Sequence, residues 1–259
     1  MDIFRVAGLQ SDLCWMQPEA NLLRLDAMLN SAPAADLYVL PEMFPTGFVV
    51  EPRNVAETDG RTLEWMRKKA REMDAAIAGS VAVCQTGAAP TYLNRLYFVR
   101  PDGSETHYDK RHLFSYGHEN LHYTRGERRI VTQWRGVRIL LQVCYDLRFP
   151  VFSRNRGDYD LALYVASWPL VRRLSWDTLL RARAIENQCF VVGVNRVGND
   201  PQCNYDGGTA IIDAYGRTME ACADGMEGFA AAGLDMEWLR HYWEKFPVLA
   251  DADPWTVDI

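Results

Sequence analysis

A chain of 259 residues, 48% hydrophobic and 24% charged, has ample apolar material for a large core. A formal charge of −6 and the absence of any basic run exclude the electrostatic footprint of a nucleic-acid binder. No apolar run approaches the ~18 residues of a membrane span, and an anionic substrate would need a local cationic pocket, because the overall field repels it.

In chain order, the opening MDIFRVAGLQ has an acid at position 2 and reads as a strand over 4–10, not as a signal peptide. Pro18 opens a helix over 18–32, with Leu22, Leu25 and Leu29 at helical spacing. DLYVLPEMF (36–44) predicts a strand running into a Pro-containing loop. Leu63, Met66, Ala70 and Met73 line one face of a second helix, followed by a strand over 75–83. Residues 92–110 read as a hairpin about Pro-Asp-Gly. VRILLQV (137–143) is apolar on both faces, which suits a buried strand. DLALYVASW, WDTLLRARAIENQ and CFVVGVNRV then give strand, helix and strand. The span 206–234 adds a hairpin at DAYG, and the tail 235–259 begins as an aromatic-rich helix. With no repeat, linker or low-complexity segment, residues 1–259 read as one mixed α/β domain.

The six cysteines (14, 84, 144, 189, 203 and 222) lack CxxC spacing, so neither a disulfide framework nor a cysteine-type metal site is suggested; a reducing cytoplasm is the natural compartment. Cys144 stands apart from the other five. It ends the strand 137–143 and begins the helix-compatible Tyr-Asp-Leu-Arg-Phe, an elbow where a helix start favours thiolate. There the backbone N–H of Tyr145 is placed to donate to a developing oxyanion. Glu42 likewise follows a strand directly, and Lys110 closes another. Each taken alone has a bland reading as packing or solvated surface. Together they put reactive groups on one edge of a sheet, where α/β sites form.

Glu42 in LPEMFPTGF, Lys110 in DKRHLF and Cys144 in VCYDLRFP, in that order and at those intervals, resemble the Glu-Lys-Cys triad of the nitrilase superfamily of carbon–nitrogen hydrolases. The opening strand, SWPLVRR (167–173), 181–198 and 205–216 fit the same family, so the resemblance runs nearly end to end, nearest to its bacterial omega-amidase branch. The resemblance implies a four-layer α-β-β-α sandwich, usually dimerised, and no metal or organic cofactor. It implies a nucleophile in Cys144, a general base in Glu42, and an oxyanion held by Lys110 and the Tyr145 N–H, the lysine charge also favouring thiolate. The substrate it implies is a small amide, the monoamide of a short dicarboxylate such as 2-oxoglutaramate.

A second motif competes for Glu119. His118, Glu119 and His122 form H-E-x-x-H, the spacing of a zinc helix. Gly117 and the Arg125-Gly126 pair leave room for only about two turns at 3.6 residues each. The family resemblance gives Glu119 another task, orienting Lys110. For the far carboxylate of the substrate, Arg172 and Arg173 follow a strand end, and Phe48 and Trp168 are candidate apolar walls. Asp146 and Arg148 read as structural contacts near the elbow. The aromatics Trp238, Tyr242, Trp243, Phe246 and Trp255 in the tail predict a homodimer or larger assembly. Two other classes stay open: a sister enzyme acting on an N-carbamoyl amine, aliphatic amide or nitrile, and a non-catalytic binding protein of the same fold.

Overall fold

The computed structural model describes residues 3–87, 89–254 and 256. Its strands, in chain order, are β1 (Ile3–Gln10), β2 (Leu37–Val39), β3 (Ala76–Gln85), β4 (Thr91–Val99), β5 (Glu105–Asp109), β6 (Val131–Trp134) and β7 (Val137–Val143). They continue with β8 (Leu161–Ala166), β9 (Phe190–Asn195), β10 (Val197–Asn199), β11 (Asn204–Asp206), β12 (Ala210–Ile212), β13 (Thr218–Ala221) and β14 (Gly228–Asp235). The helices are α1 (Pro18–Asn30), α2 (Arg61–Met73), α3 (Glu119–His122), α4 (Pro150–Ser153), α5 (Arg173–Asn187) and α6 (Met236–Lys245).

Two six-stranded sheets result, ordered β14-β1-β2-β3-β4-β5 and β13-β12-β9-β8-β7-β6. Each is parallel in the middle and antiparallel at its edges. Strand alternation sorts their side chains into three cores. Phe4, Val6, Ile139, Leu141, Val143 and Leu163 fill the space between the sheets. Ala7, Leu9 and Ile77 face the other way, onto Leu25 of α1 and Met66 of α2. Leu140, Ala162 and Val191 turn outward onto Trp176 and Leu180 of α5. Helix, sheet, sheet and helix are thus stacked as four layers, the sandwich that the family resemblance implies. The sheets approach so closely at Gly8 that a Cβ there would meet Val194 of the facing sheet at 2.8 Å.

The second strand is shorter than DLYVLPEMF predicts. Leu40 still donates to Ala78, but Pro41 has no N–H to offer and Met43 turns back at φ +44°. Glu42 therefore sits in a tight turn. Strand β6 was not foreseen; it reaches β7 through a two-residue turn at Arg135-Gly136, both at positive φ. The tail aromatics Trp238, Tyr242 and Trp243 pack on the inter-sheet core, and the Trp243 indole donates to the Gln188 carbonyl at 2.7 Å. Trp255 lies outside the described residues.

Candidate active site

Glu42 follows β2, Lys110 β5, Cys144 β7 and Ser167 β8, so four strand ends drawn from both sheets converge. The sheets are tied there, the Glu42 N–H donating to the Ala166 carbonyl at 3.4 Å. Cys144 has φ +46°, a left-handed conformation that a non-glycine residue adopts only when its surroundings hold it. The clamp is Asp146, fully buried in the 3₁₀ turn Cys144–Arg148. Its Oδ2 accepts the Val143 N–H at 2.9 Å and the Tyr108 hydroxyl at 2.8 Å. Its Oδ1 accepts from the backbone N–H of His112 at 3.0 Å and lies 2.7 Å from His112 Nδ1.

Lys110 Nζ donates to Glu42 Oε1 at 2.9 Å and lies 3.1 and 2.9 Å from the two oxygens of Glu119, all three side chains being sealed from solvent. Glu42 Oε2 accepts the Ser167 N–H at 2.9 Å, and Glu119 Oε2 accepts the Phe114 N–H at 2.6 Å. Burial works against the Lys110 charge, yet Glu119 and Glu42 outweigh it and hold the ammonium well above its ordinary pKa. Burial pushes the Glu119 carboxyl up, with Lys110 opposing. Burial also pushes the Cys144 thiol well up; the charge of Glu42 adds to this, and Lys110 offsets only part of it. Against the thiolate expected from the elbow and the lysine, burial and Glu42 favour the protonated thiol. Burial is the main cause, and the lysine charge that opposes it is shared with two carboxylates.

Cys144, partly exposed, opens into a cavity of about 550 Å³. Phe48, Tyr145, Trp168 and Arg172 line it, as the sequence anticipates. The Arg172 guanidinium lies over the rings of Phe114 and Tyr116, 5.3 Å from each centroid. Arg148, read from sequence as structural, also reaches the cavity, 4.9 Å over the Trp168 ring. Among the described residues neither arginine has a carboxylate partner. Arg173 is a correction. It turns away into Asp177, Asp206 and Asp224 at 2.9, 3.0 and 2.8 Å and takes no part in the lining.

The H-E-x-x-H segment is divided by its own geometry. Its helix α3 is four residues long; Glu119 points inward to Lys110, His122 faces solvent, and the exposed His118 lines the cavity. The two imidazoles and the carboxylate are thus not assembled as one donor set.

The family model for carbon-nitrogen hydrolases matches residues 5–242. The chain belongs to the carbon–nitrogen hydrolase family. Among its relatives, omega-amidase YafV of Escherichia coli (strain K12) is 48% identical over 251 residues, 96% of each chain. The 2-oxoglutaramate amidase of Bacillus subtilis (strain 168) is 33% identical over 95% of this chain and 96% of its own. XC1258 of Xanthomonas campestris, a CN-hydrolase superfamily protein whose crystal structure carries an arsenic adduct in the active site, superimposes with a TM-score of 0.95. It is 42% identical, with all of both chains covered.

Asn94 and Ser167 of this carbon–nitrogen hydrolase site, like Arg148, Phe114 and Tyr116, escaped the sequence reading. Asn94 on β4 donates from Nδ2 to Glu42 Oε1 at 2.8 Å and to Glu119 Oε1 at 3.1 Å. Ser167 contributes its backbone N–H, which no side-chain pattern reveals. For Asn94 the available signal was a polar residue inside the apolar strand YLNRLYFV.

Proposed function

We propose that this carbon–nitrogen hydrolase is an omega-amidase, releasing ammonia from the terminal amide of a short dicarboxylate monoamide of the 2-oxoglutaramate type. The observation that supports this reading is that the Cys144 thiol and two guanidinium groups without carboxylate partners among the described residues, Arg148 and Arg172, open onto one cavity. The omega-amidase and 2-oxoglutaramate amidase relatives support it further.

In this reading the Cys144 sulfur attacks the amide carbon as Glu42 takes the thiol proton, which answers the need of a thiol that rests protonated. The carbonyl electron pair moves onto oxygen, held by the Tyr145 N–H and by the Lys110 ammonium. Glu42 returns its proton to the leaving nitrogen, the C–N bond breaks, and ammonia departs from a thioester. Water, deprotonated by Glu42, then splits the thioester into acid and thiol. Glu119 keeps Lys110 in place. No step calls on a metal or organic cofactor.

Ammonia release measured on 2-oxoglutaramate, succinamate, butyramide, an N-carbamoyl amine and a nitrile tests the proposal. Preference for the two monoamides supports it; preference for any of the other three sinks it. We further propose a reducing, cytoplasmic setting, supported by six free cysteines, and a homodimer. Phe246 is exposed on the tail, with Tyr215 beside it. Sedimentation as a monomer at micromolar concentration would overturn the dimer.

A further inference from the structure

Asn94 is buried, 1% exposed, between the two glutamates of the site. Its Nδ2 supplies one hydrogen to each, while its Oδ1 is buried with no protein partner among the described residues. An unpaired buried acceptor is costly and calls for an explanation. Turning the amide over would set Oδ1 against two carboxylate oxygens, so the orphaned oxygen is the consequence of directing both hydrogens at Glu42 and Glu119.

The two oxygens of Glu42 are thereby made unequal. Oε1 accepts from Asn94 at 2.8 Å and from Lys110 at 2.9 Å, which fills both of its in-plane lone pairs. Oε2 accepts, among the described residues, only the Ser167 N–H, at 2.9 Å, and Glu42 and that N–H both act on the Cys144 thiol. We propose that Asn94 is a positioning residue for amide hydrolysis: with Lys110 it occupies Oε1 of Glu42, so that the Cys144 proton passes to Oε2. The inference rests on the amidase reading. As the S–C bond forms, the S–H bond breaks and an Oε2–H bond forms; that proton later leaves with the amine nitrogen. The titratable groups facing this point are Glu42, Glu119, Lys110 and Cys144, with the Tyr123 hydroxyl beyond them.

The test compares wild type, Asn94→Leu and Asn94→Asp by kcat, KM, pH profile and circular dichroism on the amide panel. Loss of a hydrogen bond to a charged group predicts that Asn94→Leu lowers kcat about ten- to a hundred-fold while KM changes less than about threefold. Asn94→Asp, nearly inactive at neutral pH, recovers part of its rate on acidification, because a protonated carboxyl donates again; the wild type gains nothing over that interval. A merely structural role produces neither the kcat-against-KM split nor the reversed pH response. Folded variants with wild-type kcat and pH profile, beside an active wild type, overturn this inference alone. Failure of both variants to fold also overturns it, by making Asn94 structural. A wild type inactive on the whole panel overturns the amidase reading beneath it.

Discussion

Asp146 holds His112 by two contacts, accepting its backbone N–H at 3.0 Å and meeting its Nδ1 at 2.7 Å. The turn that carries Cys144 is thereby joined to the loop that follows Lys110. His112 in turn stacks on Phe149, ring centroids 3.9 Å apart, closing the link from the far side. Because Asp146 also accepts Val143 N–H and the Tyr108 hydroxyl, Asp146→Ala strands buried donors in both sheets. The expected cost is about 3 kcal/mol or more, a fall in Tm of roughly 6 °C or more for a domain of this size. Activity falls with it, as the left-handed Cys144 loses its clamp. Calorimetry with parallel kcat measurements checks this, and an unchanged Tm would refute the clamp.

Cys144→Ala is expected to abolish ammonia release while leaving the fold intact. Alanine at Cys14, Cys84, Cys203 or Cys222 should leave kcat within about threefold of wild type. Cys189 is fully buried, so its loss should lower Tm without touching the chemistry. Turnover by the Cys144→Ala protein, measured with thermal unfolding alongside, would rule out the covalent route.

The direction of the Cys144 shift sets a pH response. Burial and Glu42 favour the protonated thiol, so alkylation of Cys144 by iodoacetamide should be slow at pH 7 and rise about tenfold per pH unit toward pH 9. The folded state holds this proton more tightly than the unfolded chain does. Its contribution to stability is therefore full below the unfolded thiol pKa of about 8.5 and is lost as pH rises through the folded value. Lys110→Met, which removes the opposing charge, should move the alkylation profile further up. Mass spectrometry of the labelled peptide reads both; a rate flat from pH 6 to 9 would mean a resting thiolate.

Glu119 and its flanking histidines should separate cleanly. Glu119→Gln removes the charge that holds Lys110 and should lower kcat by roughly ten-fold or more. His122→Ala alters a solvent-facing side chain and His118→Ala an exposed one on the cavity lining; both should be mild beside Glu119→Gln. Chelation should leave the rate unchanged. Stoichiometric zinc lost together with activity would return the segment to its zinc reading.

For specificity, Arg172→Ala and Arg148→Ala should each slow the monoamide about ten- to a hundred-fold in kcat/KM and leave butyramide nearly unaffected, because a charge-assisted contact is lost only where a carboxylate exists. Arg172→Lys should restore only part, since an ammonium lacks the planar fork. Arg173→Ala should change Tm and not the preference, its guanidinium being committed to three aspartates. Equal slowing of both substrates by Arg172→Ala would show that this arginine does not read the carboxylate.

What the sequence by itself determined was local. A continuous apolar run set β7 to its full extent, and periodicity near 3.6 set α1, α2 and α5 to within a few residues. Cys144 and Glu42 were legible as reactive side chains just past apolar strands. Strand β6 was not, because Arg-Gly is a weak turn signal and four residues carry little periodicity. Tertiary structure alone decided which arginines serve the cavity. Arg172 and Arg173 are neighbours in sequence, yet one lies over Phe114 and Tyr116 and the other is drawn into carboxylates from α5, β11 and the loop before β14. Tertiary structure also set burial and Glu42 against a Cys144 thiolate and brought in Asn94 from β4. Burial, charge sharing and the meeting of two sheets are long-range quantities, set by residues that lie 9 to 125 positions apart along the chain.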